Sequence, residues 1–412
     1  MHPLSLAWTS LTTLLPFFSA TPSTPPSILA TLPPLLSPLA RIILPSDPSY
    51  DHFNTRWTSG GRPTYTAIVT VSTESDISAV IRYANSHSIP FFATTGGHGS
   101  WYGLSSFEGI AIYMRNLTKF VLSDDGKTAT FGGGLRGTDV THGLWKLGKQ
   151  TVTGACQCVG LMGPALGGGH GFLQGRYGLL TDQIVSARVV LGDGSVVVAS
   201  ETENEGLFWG LRGAGHNFGI VSEVEYRVYD VEDKGDWAWE TLVFSGEQLE
   251  RIYEVSNGMM EGQGEGVVHW STWAMVVEVD EVNPVIIYQV FYNGKQEELE
   301  EYLRPEQGTV SLYPIDVPKY DVPAVREWYN TFRDMTQAEP ELAGSFCLLE
   351  QYPTQAVPAV PRESTAFAHR DQRLLLYEGW RIEKLKALKV KYDPDNRFGY
   401  FAGIIKDIPG DL

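Results

Sequence analysis

The sequence predicts an α+β fold built in two parts, and three observations lead to this prediction. A strand, helix and strand pattern occupies residues 65–94. Glycine is then concentrated, with 22 of the 43 glycines between residues 132 and 219. From about residue 233 glycine becomes rare, and long apolar strands alternate with amphipathic helices. The first part is therefore expected to hold backbone that approaches a ligand closely, and the second to be a sheet covered by helices.

The first part begins with a predicted βαβ unit. Residues 65–71 and 90–94 are rich in β-branched and aromatic side chains, which favours strands. Between them, residues 74–87 place apolar side chains on one helical face. Ser72, Thr73 or Ser75 can cap that helix. The apolar face consists of Ile77, Val80, Ile81 and Ala84.

The glycine-rich stretch is ordered rather than of low complexity, because strand patterns interrupt it. Residues 186–191 and 195–199 flank Gly192-Asp193-Gly194 and predict a hairpin. Residues 219–229 predict a further strand. A stretch with both features indicates folded backbone that must pass close to another group.

The second part contains two predicted strands, 267–279 and 285–292, and three predicted helices, 248–260, 296–303 and 322–335. A last helix, 380–391, turns Ile382, Leu385 and Leu388 inward and ends before Pro394. Aromatic side chains alternate in the strands, either to line a pocket for a flat apolar substrate or to pack the sheet. They are Trp270, Trp273, Tyr288, Phe291 and Tyr292.

Composition excludes several functions. The 412 residues carry a net charge of −17, which disfavours nucleic-acid binding. Three cysteines cannot form a disulfide framework, and no CxxC pair or Cys/His cluster along the chain indicates zinc. We therefore expect no metal and no nucleic-acid partner.

Residues 1–44 form a proline-rich leader without Lys, Arg, Asp or Glu before Arg41. Its apolar stretch, 11–18, resembles a secretory signal but lacks a positive n-region. The sequon Asn116-Leu117-Thr118 also fits secretion. Secretion and a cytoplasmic location both stay open, and no apolar run is long enough to span a membrane.

Two nucleotide-binding patterns are incomplete. Residues 132–137 match G-x-G-x-x-G, but no Asp or Glu occurs between Asp139 and Asp182 to bind a ribose. Residues 143–149 match part of a P-loop, with Gln150 where Ser or Thr is needed. The latter stretch is better explained as a helix that buries Leu144, Trp145 and Leu147.

Four glycine-containing motifs occur in a specific order. The first, Thr94-Thr95-Gly96-Gly97-His98-Gly99, ends the second strand of the βαβ unit and can form an anion-binding nest. The others run from Thr153 to Gly160, from Pro164 to Gly178 and from Leu207 to Gly219. Each alone is weak, but together they are specific.

In this order the motifs resemble those of FAD-linked oxidases of the vanillyl-alcohol-oxidase superfamily, and most closely the berberine-bridge-enzyme-like branch of fungal secondary metabolism. The resemblance spans roughly residues 45–400 and includes the closing motif from Lys391 to Phe398. It implies a two-part PCMH-type FAD-binding domain over 45–232 and an antiparallel-sheet substrate domain covered by helices over 233–380. Residues 381–412 then return to the FAD domain.

The resemblance also implies a set of cofactor-binding residues. His98 matches the histidine joined to the flavin 8α-methyl, and Cys156 matches the cysteine that some members join to C6. Asn396 is expected near the isoalloxazine ring. The pyrophosphate is assigned to Thr95, Gly96, Gly97 and Gly99, the flavin lining to Gly160, Gly163, Gly167, Gly168 and Gly178, and the adenosine end to Asp182, Ile184 and Val185.

The implied function is an FAD-dependent oxidoreductase that takes a hydride from a small organic substrate onto flavin N5 and is reoxidised by O2. The cofactor would carry the redox chemistry and the protein would position the substrate. A carbohydrate oxidase on the same scaffold and a catalytically impaired flavin-binding remnant are the alternatives.

One family segment is missing from the sequence. The family normally places a stretch with a catalytic tyrosine between the motif that ends at Leu374-Leu375-Leu376 and the last helix. Here the leucines run almost directly into Trp380, and Tyr377 is too close to that helix to match. We therefore expect an exposed sheet edge and name no catalytic base.

Overall fold

The computed structural model describes residues 28–58, 62–99, 102–261, 264, 266–276, 280, 282–303, 320–339, 342, 344–367 and 379–399. The helices in these ranges are α1 Ile28–Thr31, α2 Tyr50–Phe53, α3 Glu74–Ser86, α4 Gly137–Trp145, α5 Met162–Ala165, α6 Gln174–Tyr177, α7 Glu205–Ala214, α8 Leu249–Glu261, α9 Gln296–Leu303, α10 Val322–Ala338 and α11 Gly379–Tyr392. The strands are β1 Arg41–Ile43, β2 Thr64–Thr70, β3 Phe91–Thr94, β4 Glu108–Tyr113, β5 Phe120–Leu122, β6 Thr128–Gly132, β7 Lys149–Gln150, β8 Ile184–Val190, β9 Val196–Ser200, β10 Ile220–Arg227, β11 Tyr229–Asp230, β12 Ala238–Phe244, β13 Val267–Ala274, β14 Val285–Tyr292 and β15 Phe346–Gln351.

The first sheet has the order β1-β2-β4-β3 and contains the predicted βαβ unit. β2 and β3 both run parallel to β4, which lies between them. Helix α3 begins with a capping box, in which Thr73 Oγ1 accepts from Asp76 N and Asp76 Oδ2 accepts from Thr73 N. The predicted helical face of α3 is buried, which confirms the sequence prediction.

The second sheet is antiparallel, with the order β5-β6-β10-β8-β9. The predicted hairpin is confirmed as β8 and β9. Val190 and Ile220 of this sheet share a core with Val69 and Ile112 of the first sheet. The two sheets therefore form one unit, and β3 and β10 approach the same cleft.

The third sheet is antiparallel, with the order β12-β14-β13-β15. Helices α8 and α10 pack on one of its faces, where Tyr253, Trp273 and Tyr329 are buried in a common core. The α+β architecture, with helices over a separate sheet, is confirmed.

Helix α11 returns the chain from the third sheet to the second. Leu385 and Leu388 join the core that contains Leu207 and Phe218. A fully buried ion pair joins Lys389 Nζ to Asp393 Oδ2 at 2.7 Å. The chain after this pair reaches the cleft between the first two sheets.

Three details differ from the sequence predictions. Trp145 is 57 % exposed and Leu147 is 50 % exposed, because α4 ends at Trp145 and only its Val140 and Leu144 side faces the core. Strand β13 ends at Ala274, earlier than predicted. The domain boundaries at 44, 232 and 380 stay predictions. Within the described ranges, no helix is both long and apolar enough to cross a membrane.

Candidate active site

A cleft with an empty volume of about 970 Å³ lies between the first and second sheets. This volume includes space at the mouth of the cleft that is open to solvent. One wall is the end of β3 and the turn that follows it, and the opposite wall is α5 and the start of β10. The lining side chains include Arg56, Phe91, Met114, Met162, Leu166, His216, Val221, Arg397 and Phe398. Predicted site residues that line it are Thr95, Gly97, His98, Gly99 and Gly163.

His98 lies at the edge of this cleft and is held on two sides. Its ring stacks on Trp57 with centroids 5.5 Å apart, and its Nε2 lies 3.1 Å from Cys158 Sγ. Burial, assisted by the positive charge of Arg56, lowers the pKa of His98. The imidazole is therefore neutral near pH 7 and retains a lone pair for bonding or proton transfer.

Cys156 and Cys158 lie on a turn beside His98. Their Sγ atoms are 2.7 Å apart, and both residues are exposed. The hydrogen bond shared with Cys156, together with burial, raises the pKa of the Cys158 thiol. The sequence analysis found no Cys/His cluster because His98 is 60 residues from Cys158. The structure brings the three side chains together, with ligand atoms within 4.8 Å of one another.

Glycine is required where the loops meet. A Cβ on Gly96 would lie 2.8 Å from both Cys158 O and Gly160 N, and one on Gly160 would lie 2.9 Å from the Thr95 side chain. Gly97 has a φ of +68°, a conformation that side chains with a Cβ rarely adopt. These glycines hold the His98 loop against the cysteine turn.

The cleft fits the dinucleotide that the sequence analysis predicts. A Cβ on Gly163 would meet no protein atom within 4 Å, so this part of the wall is open for a ligand. Apolar side chains on β3, α5 and β10 suit flat rings, and Arg56 and Arg397 supply positive charge for a diphosphate. The donor set and the shape are therefore those of a site for an anionic, aromatic cofactor.

Sequence analysis missed the charged wall of the cleft. Arg56 is 7 % exposed, and its guanidinium donates to Gly99 O and to Tyr65 Oη. Burial lowers the pKa of His216 to about 4, so this cleft residue is uncharged at neutral pH. No motif includes Arg56, and His216 appeared only as part of the run from Leu207 to Gly219.

The other predicted site residues do not line the cleft. Gly167 lies next to it, since a Cβ there would be 3.8 Å from His216 Nε2. Asn396 has a φ of +52° in the turn that precedes Arg397. The rest contact other protein groups or form part of a strand: Gly168 packs against Phe367, Gly178 lies against the Asp182 carboxylate, Asp182 Oδ2 accepts from Leu179 N, and Ile184 and Val185 begin β8.

The third sheet turns its second face away from α8 and α10 and toward the glycine-rich loops. Phe172, within the motif from Pro164 to Gly178, has its ring centroid 5.3 Å from Trp270 and 5.2 Å from Phe291. Of the five predicted aromatic residues, these two lie on this face. Trp273 and Tyr288 are buried on the helix side, and Tyr292 packs against the same core. Because side chains alternate between the two faces of a strand, the five predicted aromatic residues divide into core residues under the helices and residues on the face that contacts Phe172.

A polar pair lies beside this aromatic group. Tyr352 Oη donates to Glu350 Oε1 at 3.1 Å, and the Tyr352 ring stacks on His170. Burial raises the pKa of the Glu350 carboxyl. The sequence offered no signal for this pair, because the cross-strand pairing of Glu350 with Trp270 follows only from the sheet register.

The stretch in which a family segment is missing falls on residues 368–378, outside the described residues. Among the described strands of the third sheet, β12 and β15 are the outer ones. Trp239 and Phe346 on these strands are 67 % and 56 % exposed.

The fold and the cleft together define an FAD-binding class of protein, and comparison with known proteins identifies the family.

Residues 65–200 match the family model described as an FAD binding domain. The FAD-linked oxidoreductase chyH of Penicillium rubens is 32% identical over 462 positions, which cover 90% of this chain and 92% of that protein. The FAD-linked oxidoreductase chry5 of Gibberella zeae is 33% identical over 474 positions, covering 90% and 93%. The chain therefore belongs to the FAD-linked oxidoreductases and is an FAD-binding oxidoreductase.

Solved structures agree on the fold. The BBE-like 1 protein of Physcomitrella patens has a TM-score of 0.72 at 20% identity, covering 90% of this chain and 97% of that one. The 6-hydroxy-D-nicotine oxidase of Arthrobacter nicotinovorans has a TM-score of 0.67 at 24% identity, covering 90% and 99%. The glucooligosaccharide oxidase of Acremonium strictum, whose FAD is 6-S-cysteinyl and 8α-N1-histidyl, has a TM-score of 0.69 at 20% identity, covering 89% and 97%. The predicted berberine-bridge-enzyme-like fold is confirmed.

The alignment with chyH is longer than this chain. It runs over 462 positions but includes 90% of 412 residues, which is about 370 residues. About 90 aligned positions of that relative therefore have no counterpart here. The segment expected between Leu376 and Trp380 stays a prediction.

Proposed function

We propose that the chain is an oxidase that holds FAD in the cleft between its first two sheets and oxidises a small, flat organic substrate. The observation that carries the proposal is the meeting of His98 with the Cys156 turn beside a glycine-walled cleft. When bound, FAD supplies the two-electron redox chemistry, with O2 as the final acceptor.

His98 is proposed as the first covalent tether and Cys156 as the second. The neutral imidazole has a lone pair available, and the exposed Cys156 thiol lies on the turn that contacts this imidazole through Cys158. Arg56 and Arg397 would bind the diphosphate by charge-assisted hydrogen bonds. Thr95, Gly97, Gly99 and Gly163 would let it approach the backbone closely.

The substrate is proposed to bind on the aromatic face of the third sheet. Phe172, Trp270 and Phe291 form a cluster of rings there, with centroids 4.9 to 5.3 Å apart. A planar apolar molecule would stack on such rings. The Glu350 and Tyr352 pair at its border would receive the polar group of the substrate.

Flavin retention tests this proposal. After acid precipitation, the wild-type protein is expected to keep yellow flavin in the pellet. His98→Ala and Cys156→Ala are each expected to keep it through the remaining link, and the double variant to lose it. The matched controls are His142→Ala, at an exposed position on α4, and Cys347→Ala, on β15. Both are expected to retain as much flavin as the wild type.

A colourless protein that takes up no FAD would contradict the proposal. Complete loss of retained flavin in His98→Ala alone would mean a single link. If both single variants and the double variant retain flavin equally, the tethers lie elsewhere.

A carbohydrate oxidase is the second candidate, because several proteins of the same fold are oligosaccharide oxidases. Gln289 and Thr241, on the same face as Phe291, offer polar groups to a sugar. Anaerobic flavin bleaching by oligosaccharides, and not by aromatic alcohols, would favour this candidate. A yellow protein that no substrate bleaches would favour the impaired remnant.

A further inference from the structure

We propose that Cys156 and Cys158 are a redox-modification site, at which peroxide closes a Cys-x-Cys disulfide that withholds Cys156 from the flavin. The disulfide chemistry stands on the geometry of the turn and of the His98 imidazole beside it. Its consequence for the cofactor rests on the proposed function.

The two thiols are already positioned for this bond. Their Sγ atoms are 2.7 Å apart and need to approach by about 0.7 Å to reach a disulfide bond length. Both side chains are exposed, so a small oxidant has access to them. Redox-sensitive cysteines are typically accessible and lie next to a second thiol that resolves the first oxidation product.

The backbone fixes this arrangement. Val159 N donates to Cys156 O at 3.2 Å, which closes a four-residue turn with the cysteines at its first and third positions. The first residues of α4 hold the turn from behind, since Gly137 N donates to Val159 O and Thr138 N to Gln157 O, both at 2.9 Å. The thiols therefore stay close without a large loss of conformational entropy on closure.

His98 supplies the base that the reaction needs. Its Nε2 lies 3.1 Å from Cys158 Sγ, and Cys158 shares a hydrogen bond with Cys156 that, with burial, raises the pKa of the Cys158 thiol. A neutral imidazole at this distance can accept the thiol proton as the sulfur attacks. Cys156 is thus the thiol that reacts first and Cys158 the one that resolves it.

The chemistry balances in two steps with hydrogen peroxide as the oxidant. Cys156 releases its thiol proton to solvent water as its sulfur attacks one peroxide oxygen, the O–O bond breaks, and the departing hydroxide takes up a proton, so that Cys156 sulfenic acid and one water form. Cys158 sulfur then attacks Cys156 Sγ, its proton passes to His98 Nε2 and on to the departing hydroxide, and a second water leaves. Two thiols are oxidised by two electrons, and one peroxide is reduced to two waters.

The experiment uses full-length protein made under flavin limitation, in which Cys156 is free, and compares it before and after a stoichiometric amount of hydrogen peroxide. Free thiols are alkylated in denaturant, and the tryptic peptide 150–176, which contains both cysteines, is weighed without reduction. We expect the treated peptide to carry no alkyl group and to be two hydrogens lighter than the dithiol form. Cys347 is the internal control and should stay fully alkylated.

Variants separate the two thiols. Cys158→Ser is expected to accumulate a sulfenic acid at Cys156, trapped by dimedone, because no resolving thiol remains. His98→Gln is expected to slow disulfide closure severalfold but leave Cys156 sulfenic acid formation unchanged. Independent oxidation of both cysteines to sulfinic acids, or full alkylation after peroxide, would overturn the proposal. Zinc found bound to the untreated protein in an equimolar amount, protecting both thiols, would also overturn it.

Flavin attachment gives a second readout. Protein made under flavin limitation is oxidised or left reduced and then supplied with FAD. We expect the oxidised protein to lack the Cys156 link and to regain it after reduction, and Cys158→Ser to form it without reduction. Equal formation of the link between Cys156 and the flavin in the oxidised and the reduced protein would overturn the proposal that the disulfide controls flavin attachment. If FAD attaches in neither state but the disulfide still forms, the proposed function fails while the modification site stands.

Discussion

Arg56 shows how one residue connects the shape and the charge of the cleft. It is buried at the end of the cleft, and its guanidinium holds the carbonyl of Gly99 and the hydroxyl of Tyr65. Its charge also contributes to the lowered pKa of His98. The same side chain therefore positions the turn that carries the imidazole and favours the uncharged form of that imidazole.

Replacing Arg56 by lysine tests this double role. The variant keeps the charge but loses the planar fork that reaches two acceptors. We expect the free energy of unfolding to fall by about 1–2 kcal/mol and the fraction of protein with acid-stable flavin to drop severalfold. Arg82→Lys is the matched control, because Arg82 also donates to a backbone carbonyl, that of Gly194, but does not line the cleft. Flavin retention equal to that of the wild type in both variants would contradict the role.

Strand β13 contributes a buried polar chain to the helix side of the third sheet. The Ser256 hydroxyl donates to Tyr288 Oη, which lies 3.1 Å from His269 Nδ1, and His269 Nε2 lies 3.0 Å from Tyr302 Oη. These contacts assign the proton of the ring to Nε2. Burial lowers the pKa of His269 to about 4, so its imidazole is neutral in the folded protein near pH 7.

His269 makes the stability of this layer depend on pH. Between pH 6.5 and about 4 the unfolded chain binds a proton on this ring and the folded chain does not. The free energy of unfolding therefore decreases as the pH falls through this window, by up to about 1.4 kcal/mol per pH unit. In urea titrations at several pH values, His269→Gln is expected to reduce this slope. An unaltered slope in His269→Gln would show that the ring does not titrate as described.

The sequence predicted those elements whose residues repeat with a clear period. The buried face of α3 and the hairpin of β8 and β9 follow from local patterns, and both are confirmed. The contact between His98 and Cys158 does not, because it requires two loops 60 residues apart to meet. The apolar side chain of Trp145 led to the prediction that it is buried. In the structure α4 ends at this residue, and the side chain is exposed. Arg56 belongs to no motif, so only the folded chain shows its place in the cleft.

At the scale of the whole molecule, the return of α11 is held by the pair of Lys389 and Asp393. Both side chains have no exposed area. Lys389 Nζ also donates to Asn217 O and Phe398 O, and Asp393 accepts from the backbone N–H groups of Arg397 and Phe398. Every group of the pair is therefore satisfied, and the pair connects the last helix to both sides of the cleft.

Removing one partner of this pair is expected to be costly. Lys389→Met leaves the Asp393 carboxylate buried without its cation, and we expect the free energy of unfolding to fall by about 3–5 kcal/mol. Lys386→Met on the same helix removes the exposed pair with Glu383 and should cost about 1 kcal/mol or less. Chemical denaturation monitored by tryptophan fluorescence measures both. Similar losses in the two variants would contradict the assignment of this pair as a structural link.

The position of Arg397 and Phe398 in the cleft wall has a consequence for biosynthesis. His98 leaves the ribosome about 300 residues before these two side chains do, which at about 5–20 residues per second is a delay of roughly 15 to 60 seconds. During translation the nascent chain has both walls of the cleft, from β3 to β10, before it has the two side chains that the end of the chain adds to them. We therefore expect tight binding of the prosthetic group to wait for the end of synthesis, and the exposed thiols of the turn to meet oxidants before it.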